Sequence, residues 1–294
     1  MWYYVELLMN GLLIGTLYSL IALGFVMIYK ASDVINFAQG EFVMFAGYVV
    51  AACVQLYGVP LLPAIAVGVI AMIALGFAIE QAVLKHLVGR PVVAVIMATI
   101  GLAAFLRGIA PLLWGSGTKN LSFGLPQDPY FLGEVMFSPA QLFAAFVSLV
   151  CIAAIGWFFA KSRTGVALRA IADDQQAAMA MGIDVKRYFA ISWAISGIVA
   201  LVGGVIWGNL LGVDIQLALV GLKVFPVVIL GGLDSILGAI LGGLIIGAME
   251  SLAAGFLDPL VGGGTKDFTP YLLMIAVLMI RPYGLFGKAT IERV

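Results

Sequence analysis

The sequence predicts an all-α, polytopic transmembrane helix bundle, and three observations carry that prediction. Hydrophobic residues make up 63% of the 294 positions and charged residues only 10%, against about 25% charged in a soluble domain. So apolar a chain cannot cover a water-facing surface, whereas lipid asks for none. The apolar residues also fall into runs of bilayer length, about 20 residues each. Lysine and arginine, finally, segregate to one side of the resulting layout.

Apolar runs lie near 7–29, 34–56, 61–84, 92–114, 140–160, 188–211, 217–232, 235–256 and 269–285. The two runs flanking Gly231 and Gly232 are the least regular. One of them fits a half-helix that enters and leaves on the same side, so eight to ten membrane segments are expected. The first run follows residues 1–6 with no basic stretch and no cleavage motif, and reads as a retained membrane helix. Trp2, Tyr3 and Tyr4 at the first run and Tyr283 at the last suit interfacial aromatic belts.

In this layout Lys30, Lys85, Arg90, Lys161, Arg163, Arg169, Lys186, Arg187, Arg281, Lys288 and Arg293 share one side, and Lys119 and Lys266 the other. The positive-inside rule makes the first side cytoplasmic. The N-terminus is then periplasmic and the C-terminus cytoplasmic. The connector 115–139 becomes an ordered periplasmic loop and the connector 161–187 a cytoplasmic one. Residues 1–294 read as a single transmembrane domain. They contain no GxxxxGK[ST] loop, so ATP, if it supplies the energy, binds to another chain. No cofactor is expected in this chain.

Net charge is zero, which gives nucleic acid no electrostatic footprint. Cys53 and Cys151 sit in apolar runs and read as small hydrophobes. His86, alone, cannot build a metal site. No HExxH or GxSxG motif occurs, so no catalytic role is expected.

The cytoplasmic connector predicts one short helix over 164–182, capped by Thr164 and ended by Gly182 in the left-handed conformation. Asp184 then caps the next membrane helix. Leu168, Ile171, Ala172, Gln175, Ala178, Met179 and Gly182 recur at helical spacing and share a face. Arg169, Asp173 and Gln176 share another, polar face, and Asp174 lies beside it. Two readings fit: a helix that docks a cytoplasmic partner, or an interfacial amphipathic helix without one.

Polar residues inside the apolar runs are the other candidates. Asn36, Gln39 and Glu41 lie in the stretch 32–42, with Gly40 offering a close approach or a break. An acid at the bilayer centre costs about 2.5–3.5 kcal/mol on the mildest scale. The stretch either lines or gates a pathway or serves as interhelical polar glue. In the second half Lys223, Pro226, Gly231 and Gly232 similarly interrupt an apolar run, and paired interrupted segments point to a central pathway. Lys223 has the alternative of snorkelling to the outer interface. Arg107 is placed to pair with Glu41 or Glu250. Glu80 and Glu250 sit toward span ends and are expected to be solvated. The Gly243–Gly247 GxxxG pattern and the run from Gly203 to Gly208 predict close helix packing.

Several stretches resemble a known family. They are Asn10-Gly11 leading into Gly15–Leu20, Val34–Glu41, the connector Gly165–Gly182, Val228–Ser235 and Arg281–Gly287. Together they resemble the permease subunits of branched-chain amino-acid ABC importers, of the LivH type. The resemblance implies a second permease (LivM-type), two cytoplasmic ATPases (LivG- and LivF-type) that bind ATP and Mg, and a periplasmic substrate-binding protein. It implies an inner-membrane subunit that passes branched-chain or other hydrophobic amino acids inward by alternating access. Asn36, Gln39, Gly40, Glu41, Lys223, Pro226, Gly231 and Gly232 are the candidates for the pathway or gate. Leu168, Arg169, Ile171, Ala172, Asp173, Asp174, Met179 and Gly182 are those for docking. Related subunits serve urea and amides, so the resemblance leaves the solute open. An ion-coupled secondary transporter is the rival class.

Overall fold

A computed structural model describes residues 2–87 and 91–287. Arg90, Lys288 and Arg293, which enter the orientation argument, lie outside the described residues. The helices are α1 (Trp2–Ser32), α2 (Gln39–Gln55), α3 (Leu61–Ala82), α4 (Val92–Trp114), α5 (Pro139–Lys161), α6 (Arg163–Asp173), α7 (Gln175–Ala180), α8 (Val185–Leu211), α9 (Leu219–Gly231), α10 (Ile236–Val261) and α11 (Thr265–Ile280). Among the described residues, six helices are long and apolar enough to cross a membrane: α1, α3, α4, α5, α8 and α10. The expected runs at 34–56, 217–232 and 269–285 correspond to α2, α9 and α11, of 17, 13 and 16 residues.

The chain forms two compact units. The first comprises Met1–Val26, Leu125–Ile152 and Leu222–Val294; the second comprises Met27–Gly124 and Ala153–Gly221.

In the second unit α8 packs against both α2 and α3, and α4 lies on α2. Small residues permit this. Gly76 meets the Trp193 backbone, Gly197 the Met72 carbonyl and Gly204 the Val43 carbonyl. Each contact lets two helices close to backbone distance, which replaces the hydrophobic drive that lipid abolishes. Phe42 and Trp193, both buried, meet edge to face at 5.8 Å and fill the space between α2 and α8. The predicted close approach along Gly203–Gly208 is therefore met at Gly204.

In the first unit α10 is the centre. Gly243 and Gly247 lie against Gly15 and Gly11 of α1, so the GxxxG spacing on each helix serves one contact. Ser19 Oγ donates to the Ile240 carbonyl at 2.8 Å and Ser251 Oγ to the Leu7 carbonyl at 2.7 Å, tying the same pair. α11 packs on α10. The connector 115–139 contains a feature the sequence did not announce. β1 (Tyr130–Leu132) pairs antiparallel with β2 (Val135–Phe137), with Tyr130 opposite Phe137. Asn10 Nδ2 donates to the Met136 carbonyl at 3.5 Å, which holds the hairpin to α1.

Three expectations are corrected. The second apolar run does not become helical at Val34 but at Gln39. The connector is two helices rather than one. Glu80 and Glu250 are buried, at 2% and 1% exposure, rather than solvated. The two thiols are free and half-buried.

Candidate translocation residues and the connector 161–187

The non-helical stretch 33–38 explains the late start of α2. Asp33 leaves α1 with a positive φ of 52°, a conformation that aspartate tolerates better than most residues. Asn36 Oδ1 then accepts from the Ala38 backbone at 3.0 Å. That local bond offers the backbone an alternative to a helical turn, so the helix waits until the side chain is passed.

Asn36 and Gln39 are fully buried. Gln39 Oε1 accepts from Asn36 Nδ2 at 3.3 Å and from Ser196 Oγ of α8 at 2.8 Å. Gln39 Nε2 and Ser192 Oγ, one turn before Ser196, are buried and have no hydrogen-bond partner among the described residues. A buried polar group left unpaired costs about 1–3 kcal/mol, and native structures rarely tolerate one without a water or a ligand to meet it. Both can donate. Each is an unmet donor that a carboxylate, a carbonyl or a water can satisfy.

Glu41 follows on the same helix and is buried, at 5% side-chain exposure; it forms an ion pair with Arg107 of α4, whose side chain is 47% exposed. Of the two partners the sequence allowed Arg107, the structure selects Glu41. Gly40 lies against the Ala218 carbonyl and the Gly221 backbone. A methyl group at either glycine would enter the other's backbone, so this contact requires hydrogen at both.

The remaining pathway candidates lie in the first unit. Lys223 Nζ of α9 lies 3.2 Å from Glu250 Oε1 of α10 and 2.7 Å from Asp267 Oδ1 of α11. The lysine therefore joins three helices through its two carboxylates. Pro226 has no N–H to give the Leu222 carbonyl one turn back. Tyr271 Oη of α11 donates to that carbonyl at 3.1 Å instead. Gly231 meets the Gly238 backbone, and Gly232 ends α9 with a φ of 105°. The last carbonyls of α9 are met by the chain after α11: Leu285 N donates to Leu230 O at 2.8 Å and Phe286 N to Gly231 O at 3.1 Å.

The connector is built from two caps. Ser162 Oγ, not Thr164, accepts from Gly165 N at 2.9 Å and starts α6. Asp174 then adopts an extended conformation, and its Oδ1 accepts from Ala177 N at 2.9 Å to start α7. An aspartate that competes for its own backbone splits what spacing alone reads as one helix. Gly182 ends α7 with a φ of 82°, and Asp184 caps α8, both as expected. Leu168, Ile171 and Ala178 are buried, and Ile171 and Ala178 pack with Val185. Ala172, Met179 and Gly182 do not join that face and are exposed; for Met179 and Gly182 the break at Asp174 resets the helical phase, whereas Ala172 lies at the end of α6, on the edge of its buried stripe. Arg169, Asp173 and Asp174 are exposed too.

Ser192, Ser196 and the burial of Glu80 and Glu250 escaped the sequence reading. The i, i+4 spacing of the two serines on an apolar helix is the one signal that marked them, since it puts both hydroxyls on one face.

The profile of the family described as branched-chain amino acid transport system, permease component, matches residues 7–278. The high-affinity branched-chain amino acid transport system permease protein BraD of Pseudomonas aeruginosa is 33% identical over 100% of this chain and 99% of its own length. The corresponding LivH protein of Escherichia coli K12 is 31% identical, covering 99% and 98%. A probable branched-chain amino acid transport permease protein LivH of Methanocaldococcus jannaschii is 31% identical, covering 96% and 92%. The likeness thus runs nearly from end to end, and the matched range spans α2, the connector and α10. The chain belongs to the family of branched-chain amino acid transport system permease components.

Proposed function

We propose that this chain is the membrane-spanning subunit of an ATP-driven importer in the cytoplasmic membrane. It passes branched-chain or other hydrophobic amino acids from a periplasmic binding protein to the cytoplasm. The observation that carries the reading is the likeness to BraD over all of this chain. The structure adds support of its own kind. Six bilayer-length helices suit a multi-pass protein, and the buried cluster of Asn36, Gln39 and Ser196 leaves two donors open beside it.

In this mechanism the chain contributes a polar lining and a lever. The open donors of Gln39 and Ser192 offer hydrogen bonds to a substrate carboxylate or to the water that escorts it. Lys223 and its carboxylates in the first unit form a charged contact that exchanges partners as the pathway opens outward and inward. The α6–α7 connector carries motion from the ATPases. A LivM-type permease and LivG- and LivF-type ATPases complete the assembly, and ATP and Mg bind in those chains.

The test is reconstitution of the chain with its second permease and ATPases in vesicles, with the binding protein and labelled leucine supplied outside. Uptake that requires ATP and binding protein, and survives an uncoupler, is expected. Uptake by the chain without the ATPases, abolished by the uncoupler, overturns the reading in favour of an ion-coupled carrier.

A further inference from the structure

The second unit contains a cavity of about 160 Å³ that no part of the proposed pathway uses. It lies where the end of α1, the end of α3 and the starts of α4, α7 and α8 come together. Leu84, Leu87, Phe189 and Trp193 form its apolar wall, and Glu80 and Asp33 supply the carboxylates.

Glu80 is the informative residue. It is 98% buried, being only 2% exposed. Its Oε2 accepts from Gln81 Nε2 at 2.9 Å. Among the described residues no cation pairs with it; the described ion pairs involve Glu41, Glu250 and Asp267. Lys85 is near in sequence but donates to Gln81 Oε1, at 3.2 Å, and so stabilises the amide rather than the acid. A carboxylate taken out of water and left without a cation is costly, and the cost falls when a cation enters. The aromatic rings of Phe189 and Trp193 favour the same charge. An apolar cavity with a few fixed polar groups is the usual form of a small-molecule site.

We infer that this cavity is a binding site for a small organic cation, a primary ammonium on a short apolar body. The ammonium pairs with Glu80, and the body lies against Leu84, Leu87, Phe189 and Trp193. An α-amino acid is disfavoured, because its carboxylate would lie beside Glu80 and Asp33, and among the described residues no basic side chain lines the cavity. The site is therefore separate from the transported solute. Gln175, the first residue of α7, is also in the lining, so an occupant touches the connector.

Isothermal titration of the full chain in lipid nanodiscs tests this with three probes that share one carbon skeleton: 3-methylbutylammonium, leucine and 3-methylbutanol. Saturable binding of the ammonium, weakened at least tenfold in Glu80→Gln, is expected, with leucine giving no Glu80-dependent binding. The alcohol is expected to be indifferent to that substitution. Val92→Trp, which narrows the mouth from an exposed position, is expected to weaken the ammonium too while leaving the melting temperature unchanged. It decides the matter should Glu80→Gln fail to fold. Ammonium affinity unchanged in both variants overturns the site. Leucine binding with the same Glu80 dependence overturns the assigned ligand class. A tenfold rise in ammonium affinity in Arg90→Ala also overturns it, since the chain then fills the cavity with its own cation.

Discussion

Tyr271 donates its hydroxyl to the carbonyl of Leu222, the acceptor that Pro226 leaves without a helical donor. A proline in a membrane helix is tolerated when a neighbour meets the freed carbonyl, and here the neighbour is a side chain of α11.

Tyr271→Phe removes that donor. A loss of about 1 kcal/mol in stability is expected, read as a lower melting temperature in detergent. Pro226→Ala restores the backbone N–H, so the cost of Tyr271→Phe shrinks toward zero in that background. Equal costs in both backgrounds would show that the hydroxyl serves something else.

Gly40→Ala and Gly221→Ala place a methyl where backbone already stands. Each is expected to destabilise the second unit by about 1–3 kcal/mol. Gly101 of α4 has open space around its added methyl. Gly101→Ala is expected to be neutral or to stabilise by about 0.5–1 kcal/mol. The opposite signs are read by thermal unfolding of the three variants side by side.

The ion pair of Glu41 and Arg107 is lopsided, with the acid buried and the base half-exposed. Arg107→Ala strands a buried carboxylate, whereas Glu41→Gln frees an arginine that can turn to solvent. The first is expected to cost about 2–3 kcal/mol and the second about 1 kcal/mol or less. Transport in reconstituted vesicles separates roles. If the pair is only a strut, uptake follows stability; if it gates, Glu41→Gln loses uptake while keeping its melting temperature.

Asp174→Ala removes the cap of α7 and is expected to cost about 0.5–2 kcal/mol locally. Hydrogen exchange is expected to quicken over residues 175–180 and not over 163–173. Ala replacing both Arg169 and Asp173, on the exposed side of α6, is expected to lower co-purification of the ATPases. Unchanged co-purification and transport would count against docking there.

What was legible in the sequence depended on locality. Each apolar run maps onto a helix, because hydropathy over some 20 residues is a property of one segment. The ends set by Gly182 and Asp184 were legible for the same reason. The break at Asp174 was not, since aspartate is tolerated in a helix and becomes a cap only when its side chain wins the backbone N–H of Ala177. Burial of Glu80 and Glu250 was hidden as well, because spacing gives a residue's face but not what lies opposite. The contact of Gly40 with Gly221 joins residues far apart in sequence, and a single glycine on an apolar helix looks the same whether or not another backbone leans on it. Among the candidate residues, the pairing of Glu41 with Arg107 was foreseen as one of two options, while Ser192 and Ser196 stood unnoticed among ordinary small residues.

The helices differ sharply in how much of themselves the protein covers. Within their most apolar windows α1 is 83% buried and α8 78%, whereas α4 is 17% and α3 and α5 are 28%. For α4 the surroundings are thus most of the packing. Acyl-chain length and order, or a second polypeptide laid along it, must finish a surface that this chain leaves open. Swapping a thin-lipid nanodisc for a thick one should therefore register first in α4, and through its Arg107 in the position of α2.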